Sequence, residues 1–236
     1  MGMNERPICP RCHSPEMAKN EKVSGKQRYK CKNCNFQVTC FTPRGYPPET
    51  KARALELYNH GLSIRSAARL SGVSRASVLN WIKQAAKKIY KKIAPGKAIL
   101  IELDERHYPG SKKNKLWIWK AYRRETGELI DWGCGARDKA TLPKLLERLS
   151  PWDAELYCTD NWAPYSEVIE EEKLFQSKSQ TFYLEQNNGR QRHWYARFRR
   201  NSIVVSKTLE MVDLTMALFA ACHVNGCIKN LVSLFN

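Results

Sequence analysis

The sequence predicts a mixed α/β fold over residues 98–236, preceded by two smaller units at 1–42 and 43–97. Three observations carry this expectation. From Ala98 onward, short apolar and aromatic runs alternate with turn residues and helical stretches, the pattern of a sheet with helices packed on it. The front part instead holds two Cys-x-x-Cys pairs, then amphipathic stretches separated by a Ser-Gly turn. The charge divides at the same place: of 40 Lys+Arg and 23 Asp+Glu, residues 1–97 hold 20 and 5, a net of +15, whereas residues 98–236 hold 20 and 18.

A basic front half is the electrostatic footprint of a polyanion binder, and nucleic acid is the expected partner. An anionic lipid surface fits less well, since no long apolar stretch or amphipathic anchor accompanies the charge. The first residues are polar and interrupted by proline, so no signal peptide is expected. The chain is read as cytoplasmic and nucleoid-associated, away from membranes. Thiols stay reduced there, and paired cysteines bind metal more often than they form disulfides.

Residues 1–42 are expected to form a zinc ribbon. Cys9-Pro10-Arg11-Cys12 and Cys31-Lys32-Asn33-Cys34, eighteen residues apart, can set four thiolates tetrahedrally around one Zn²⁺, with a hairpin over 22–30 between them. All four positions are filled by sulfur, so the site is closed and structural. So small a segment has no adequate apolar core of its own, which makes a metal the expected organiser. Arg11, Lys26, Arg28, Lys30 and Lys32 crowd this unit and suit phosphate contact. Cys40 is read as a packing residue.

After the turn-rich stretch 42–48, Pro48-Glu49 opens a helix that runs to about His60 and ends at Gly61. Ser63 and Ser74 are expected N-caps, Ala67-Ala68 allow close helix contact, and Ser71-Gly72-Val73 is the tight turn of a helix-turn-helix. The helix from Ser74 would offer Arg75, Ser77 and Asn80 to a DNA groove while Val78, Trp81 and Ile82 face inward. Arg65 and Lys83 are further expected DNA contacts. Lys87, Lys88, Lys91 and Lys92 continue the basic face, and Pro95-Gly96 closes the unit.

In the rear part, residues 97–103 read as a strand ending in Asp104-Glu105. Residues 116–122 and 129–135 follow as an aromatic hairpin pair, then a helix over 141–149 capped by Thr141 and a strand over 154–159 that ends at Asp160. Strand, hairpin, helix, strand is the order of a sheet in which the first and fourth strands lie side by side, and this would bring Asp104 and Asp160 together. A helix around 165–172 and a long one over 178–200 are expected next. On the latter, Glu185, Asn188 and Arg192 share one face. An apolar helix over 209–221 would pack on the sheet.

Asp104, Asp160 and Glu185 are the acids this topology can gather. Three carboxylates with little else suit two Mg²⁺ or Mn²⁺ ions about 4 Å apart, which serve phosphoryl transfer. A register slip of one residue would put Glu105 in place of Asp104. No Ser-His-Asp order, Gly-rich phosphate loop or CxxCH haem motif competes.

These residues resemble the transposases of the insertion-sequence-one (IS1) type. The likeness runs through Cys9 to Cys34, the helix-turn-helix from Ser63 to Ser74, Asp104-Glu105, Ser150-Pro151-Trp152-Asp153 and Thr159-Asp160-Asn161-Trp162. It continues through Glu185-x2-Asn188-x3-Arg192, Ala196-Arg197 and Ser206-Lys207. The resemblance implies a DDE recombinase with an RNase H-like catalytic domain, with Asp104, Asp160 and Glu185 as metal ligands. Arg192 then stands where a basic residue holds a DNA phosphate or terminal base, with Asn188, His193 and Arg197 as further DNA contacts. Element ends and target DNA are the implied partners, engaged by a dimer or larger oligomer. A non-catalytic DNA-binding regulator, and an RNase H-like nuclease or resolvase, are the competing classes.

Overall fold

A computed structural model describes residues 8–39, 45–89, 95–108, 116–138, 140–177, 182–199, 202–226, 228 and 230–236. Cys40 and Cys227 lie outside the described residues, as do Lys91 and Lys92. The chain divides into two compact units, Met1–Tyr46 and Pro47–Asn236.

In the first unit, β1 (Met17–Val23) and β2 (Lys26–Cys31) form an antiparallel hairpin, and β3 (Gln37–Val38) pairs with β2. Ser24 and Gly25 turn the hairpin with φ of 49° and 75°, the positive pair that matches the twist of two-residue hairpins. Cys9 and Cys31 are the buried apolar residues here among those described, so the cysteines take the place of a core.

The second unit opens with α1 (Pro48–Asn59), α2 (Ile64–Ser71) and α3 (Arg75–Ile89). The expected caps form: Ser63 Oγ accepts from Ser66 N–H and Ser74 Oγ from Ser77 N–H, both at 3.0 Å. Gly72 ends α2 in the left-handed region at φ 65°. A Cβ on Gly61 would meet the Trp194 carbonyl oxygen at 2.8 Å, so glycine permits that close approach. Three short helices bury little by themselves. They share a core with α7 (Leu209–Phe219): Leu55, Tyr58, Val78 and Ile82 join Val212, Met216 and Phe219.

The five-stranded sheet comprises β4 (Leu100–Tyr108), β5 (Leu116–Arg123), β6 (Glu128–Gly135), β7 (Leu156–Thr159) and β8 (Leu174–Gln176), in the order β6-β5-β4-β7-β8. β4, β5 and β6 pair antiparallel, and β7 pairs parallel with both β4 and β8. First and fourth strands of this region are therefore neighbours, as expected. One face packs Ile101, Leu103 and Trp119 against α4 (Thr141–Leu149) and α5 (Pro164–Val168). The opposite face turns Tyr108, Ile118 and Tyr122 toward α6 (Phe182–Trp194) and α7.

Three local readings are corrected. Asp138 rather than Thr141 caps α4, accepting from the Thr141 N–H and hydroxyl at 2.9 and 2.7 Å. The helix expected over 165–172 is only α5, because the chain extends at Ile169 and then adds β8 as an edge strand, which the acidic run at 170–172 did not announce. The long helix over 178–200 is shorter: α6 stops at Trp194, where Arg199 donates to the carbonyls of Arg192 and His193 at 2.9 and 3.0 Å. These side-chain donors satisfy last-turn acceptors, and Tyr195 is extended.

Candidate active site

Alternation along β4 decides which acid faces where. Opposite residues in a sheet share a face, so Asp104, paired with Lys120 of β5, looks toward α6. Glu105 looks the other way. Its Oε1 accepts from Arg137 Nε and Nη2 at 2.9 and 2.5 Å, and its Oε2 accepts from the Tyr165 hydroxyl at 2.7 Å. Burial pushes the Glu105 carboxyl upward, opposed by the Tyr165 and Arg137 donors. The Arg137 guanidinium lies between Trp117 and Trp162, 4.8 and 4.7 Å from their ring centres. Glu105 is thus spent on structure, which favours Asp104 as the ligand.

Asp104, Glu105, Arg106, Glu185, Asn188 and Arg192 line one cleft of about 440 Å³. Glu185 lies in the first turn of α6, with Asn188 and Arg192 on the same side over the next two turns. Asp160 follows the last residue of β7. The parallel ladder pairs Glu102 with Cys158 and stops there, so Asp160 lies just past the end of β7, at the same end of the sheet as Asp104 but outside the residues that line its cleft. Its Oδ1 accepts from the Trp162 N–H at 3.1 Å.

Asn188, expected at DNA, is engaged inside the protein instead. Its Nδ2 donates to Asp104 Oδ2 at 3.1 Å, and its Oδ1 accepts from the Lys120 ammonium. Lys120 has no exposed surface, and burial lowers its pKa to about 8, with Asp104 opposing that shift. Arg106 donates to the Asn188 carbonyl and to Gln191 Oε1 of α6, both at 3.4 Å, and to the Phe198 carbonyl beyond that helix at 2.9 Å. Neither Lys120 nor Arg106 was picked out in the sequence. The available signal was a lone lysine inside the aromatic strand Trp117-Ile118-Trp119-Lys120-Ala121-Tyr122.

Arg197 is also corrected. It is 3% exposed, its guanidinium lies 3.9 Å from the Tyr58 ring centre, and it cannot reach DNA from there. Arg192 and His193 are exposed. Lys83 donates to Glu210 at 2.8 Å and Arg28 to Glu21 at 2.9 Å, so both share their charge within the protein. Lys30, Arg65, Arg75 and Asn80 stay exposed, and Ser77 is partly covered beside its cap partner Ser74.

Two donor sets suit metals of different kinds. The sulfurs of Cys9, Cys12, Cys31 and Cys34 all lie within 4.8 Å of one another, the one such group of three or more metal-ligating side chains among the described residues. Cys9 N–H donates to the Ser14 carbonyl and Cys31 N–H to the Phe36 carbonyl, both at 2.9 Å, closing two matched knuckles with His13 and Asn35 in the left-handed region. Backbone donors near Cys34 and Asn33 pull the Cys31 thiol down toward thiolate. Soft sulfur in this closed set fits zinc. The acids offer hard oxygen. Among the described residues, Asp104, Asp160 and Glu185 form no ion pair within 4.0 Å, and Asp104 keeps one oxygen without a hydrogen-bond partner. Their oxygens do not all lie within 4.8 Å of one another, so the expected gathering of the three acids is not tight here.

Residues 98–225 match the family described as IS1 transposase, and residues 42–98 match a helix-turn-helix family described as Transposase. The chain is similar to the insertion element iso-IS1n protein InsB of Shigella dysenteriae, 30% identical over 127 residues, which cover 53% of this chain and 97% of that protein. It is also similar to the insertion element IS1 2 protein InsB of Escherichia coli (strain K12), 31% identical over 134 residues, 56% of this chain and 80% of that protein. Among the described residues, no helix is long and apolar enough to cross a membrane.

Proposed function

The chain belongs to the IS1 transposase family, and on that premise we propose that it binds the terminal inverted repeats of its element, cuts a phosphodiester to free a 3′-OH, and joins that hydroxyl to target DNA. The observation that carries this reading is the placement of Asp104 and Glu185 in one cleft with Arg192, with Asp160 on the neighbouring strand end.

Asp104, Asp160 and Glu185 are the residues that would hold two Mg²⁺ or Mn²⁺ ions. Such ions supply Lewis acidity at the attacking and leaving oxygens. The protein's own share is placement. Asp104 sits within β4, and Asp160 directly follows β7, the strand paired with β4, so both hang on the same sheet. Glu185 approaches from α6, and exposed Arg192 gives the cleft a guanidinium fork suited to a DNA phosphate. His193 is not needed as a general base in this scheme. The cysteine set would hold one structural Zn²⁺. Residues of α3, Arg75 and Asn80 foremost, would read base edges, and Lys30 of the ribbon would contact phosphates. Joining two ends to one target requires two active sites, so a dimer or larger assembly on DNA is part of the proposal.

The test is Mg²⁺-dependent cleavage and joining of a duplex bearing the element end. Asp104→Asn, Asp160→Asn and Glu185→Gln should each abolish both reactions while end binding in a gel-shift assay persists. Retained cleavage in all three would overturn the site assignment. Equal cutting of a random duplex would instead point to a plain nuclease.

A further inference from the structure

Lys120 is the only fully buried lysine among the described residues, and no carboxylate lies within ion-pair distance of its ammonium there. A buried cation without a directly touching anion is costly, so its retention at this position calls for a reason. Its setting supplies one. Lys120 lies opposite Asp104 across the β4–β5 ladder and donates to Asn188 Oδ1. An ammonium only donates, which pins the amide oxygen of Asn188 toward Lys120 and turns the amide nitrogen toward Asp104 Oδ2. One side chain therefore sets the orientation of Asn188 and, through it, of Asp104.

We propose that Lys120 is a built-in counter-charge of the carboxylate pocket: it keeps Asp104 and Asn188 in place without a divalent cation, and its repulsion raises the cation concentration at which the pocket loads. This rests on the reading of Asp104 as a metal ligand. Two effects of removing Lys120 oppose each other. Loss of the fixed amide orientation weakens the site by about one hydrogen bond, on the order of 1 kcal/mol, a tenfold or smaller change. Loss of a positive charge a few ångströms behind the ligand strengthens cation binding through a Coulomb interaction that is larger in a partly buried setting. The charge effect wins. Lys120 is thus a positioning residue that does not touch DNA.

The experiment is direct Mn²⁺ binding to the full chain with its cysteine site loaded with zinc, followed by calorimetry and by the signal of free Mn²⁺ in electron paramagnetic resonance. Lys120→Met removes the charge and the donor, whereas Lys120→Gln removes the charge and leaves an amide donor for Asn188. Lys120→Gln should reach half-saturation at an Mn²⁺ concentration about tenfold lower than the parent chain, roughly one charge–charge contribution, and Lys120→Met at a concentration lowered by less than that because it also loses the donor to Asn188. Lys120→Gln should keep more of the cleavage rate at saturating metal than Lys120→Met. Circular dichroism melting confirms folding of each. An unchanged or raised half-saturation point in both variants, with Mn²⁺ binding by the parent chain lost in Asp104→Asn, would overturn this inference alone. Parent-chain binding that is insensitive to Asp104→Asn would overturn the metal-site reading and this inference with it.

Discussion

The side-chain amide of Asn188 donates to Asp104 Oδ2 at 3.1 Å, joining the middle of α6 to the acid on β4. The residue one turn after Glu185 therefore serves the site from within.

Asn188→Ala should separate catalysis from DNA binding. Removing a partner that orients a ligand commonly costs about 10–100-fold in metal affinity or activity. Cleavage of an end-bearing duplex should fall within that range, while affinity for the same duplex in a gel-shift assay stays within about twofold. A large loss of DNA affinity would return Asn188 to the interface.

Glu105→Gln should lower stability more than it alters chemistry. The Glu105 side chain is 1% exposed and that of Arg137 35%, so the pair is half open to water. Weakening its hydrogen bonds to Arg137 and Tyr165 should cost about 2 kcal/mol of unfolding free energy, less than a fully buried pair. Urea unfolding of the variant measures this. Complete loss of cleavage with unchanged stability would make Glu105 a ligand.

Zinc removal should act on the ribbon. With only Cys9 and Cys31 as buried apolar residues among those described there, residues 8–39 should lose their structure on chelation or in Cys9→Ser. Amide exchange should become fast across β1 and β2, while α7 and β5 keep their protection. Protected β1 amides after complete zinc removal would contradict this.

Acid should destabilise the second unit through His223. Burial against Trp194 and Phe219 lowers its pKa from 6.5 to about 4, with an Asn59 backbone bond opposing and His60 reinforcing the shift. Between those values the unfolded chain binds a proton that the folded chain refuses, so stability falls as pH drops from 6.5 toward 4. After discounting for partial exposure the loss is about 1–2 kcal/mol. His223→Gln should flatten the dependence of Tm on pH in this window, and an unchanged slope would count against the assignment.

Much of this architecture was legible in the residues. The two Cys-x-x-Cys pairs, the Ser63 and Ser74 caps and the turn at Gly72 rest on contacts within a few positions, where spacing alone sets geometry. The pairing of β4 with β7 was accessible through connection rules, since a helix between two strands favours a parallel return. Arg197 misled because a basic residue near the last acid looks like a DNA contact, yet Tyr58, distant in sequence, offers its ring and covers it. The break of α6 at Trp194 depended on Arg199 folding back to cap carbonyls, a choice invisible to periodicity.

The sequence by itself determined the thiolate set and the helix-turn-helix, because each follows from local spacing and residue type. Only the tertiary structure decided that Asp104 faces the cleft while Glu105 pairs with Arg137, and that Lys120 and Asn188 hold Asp104. Sheet register and helix docking made those choices, and both are set by side chains packing from parts of the chain far apart in sequence.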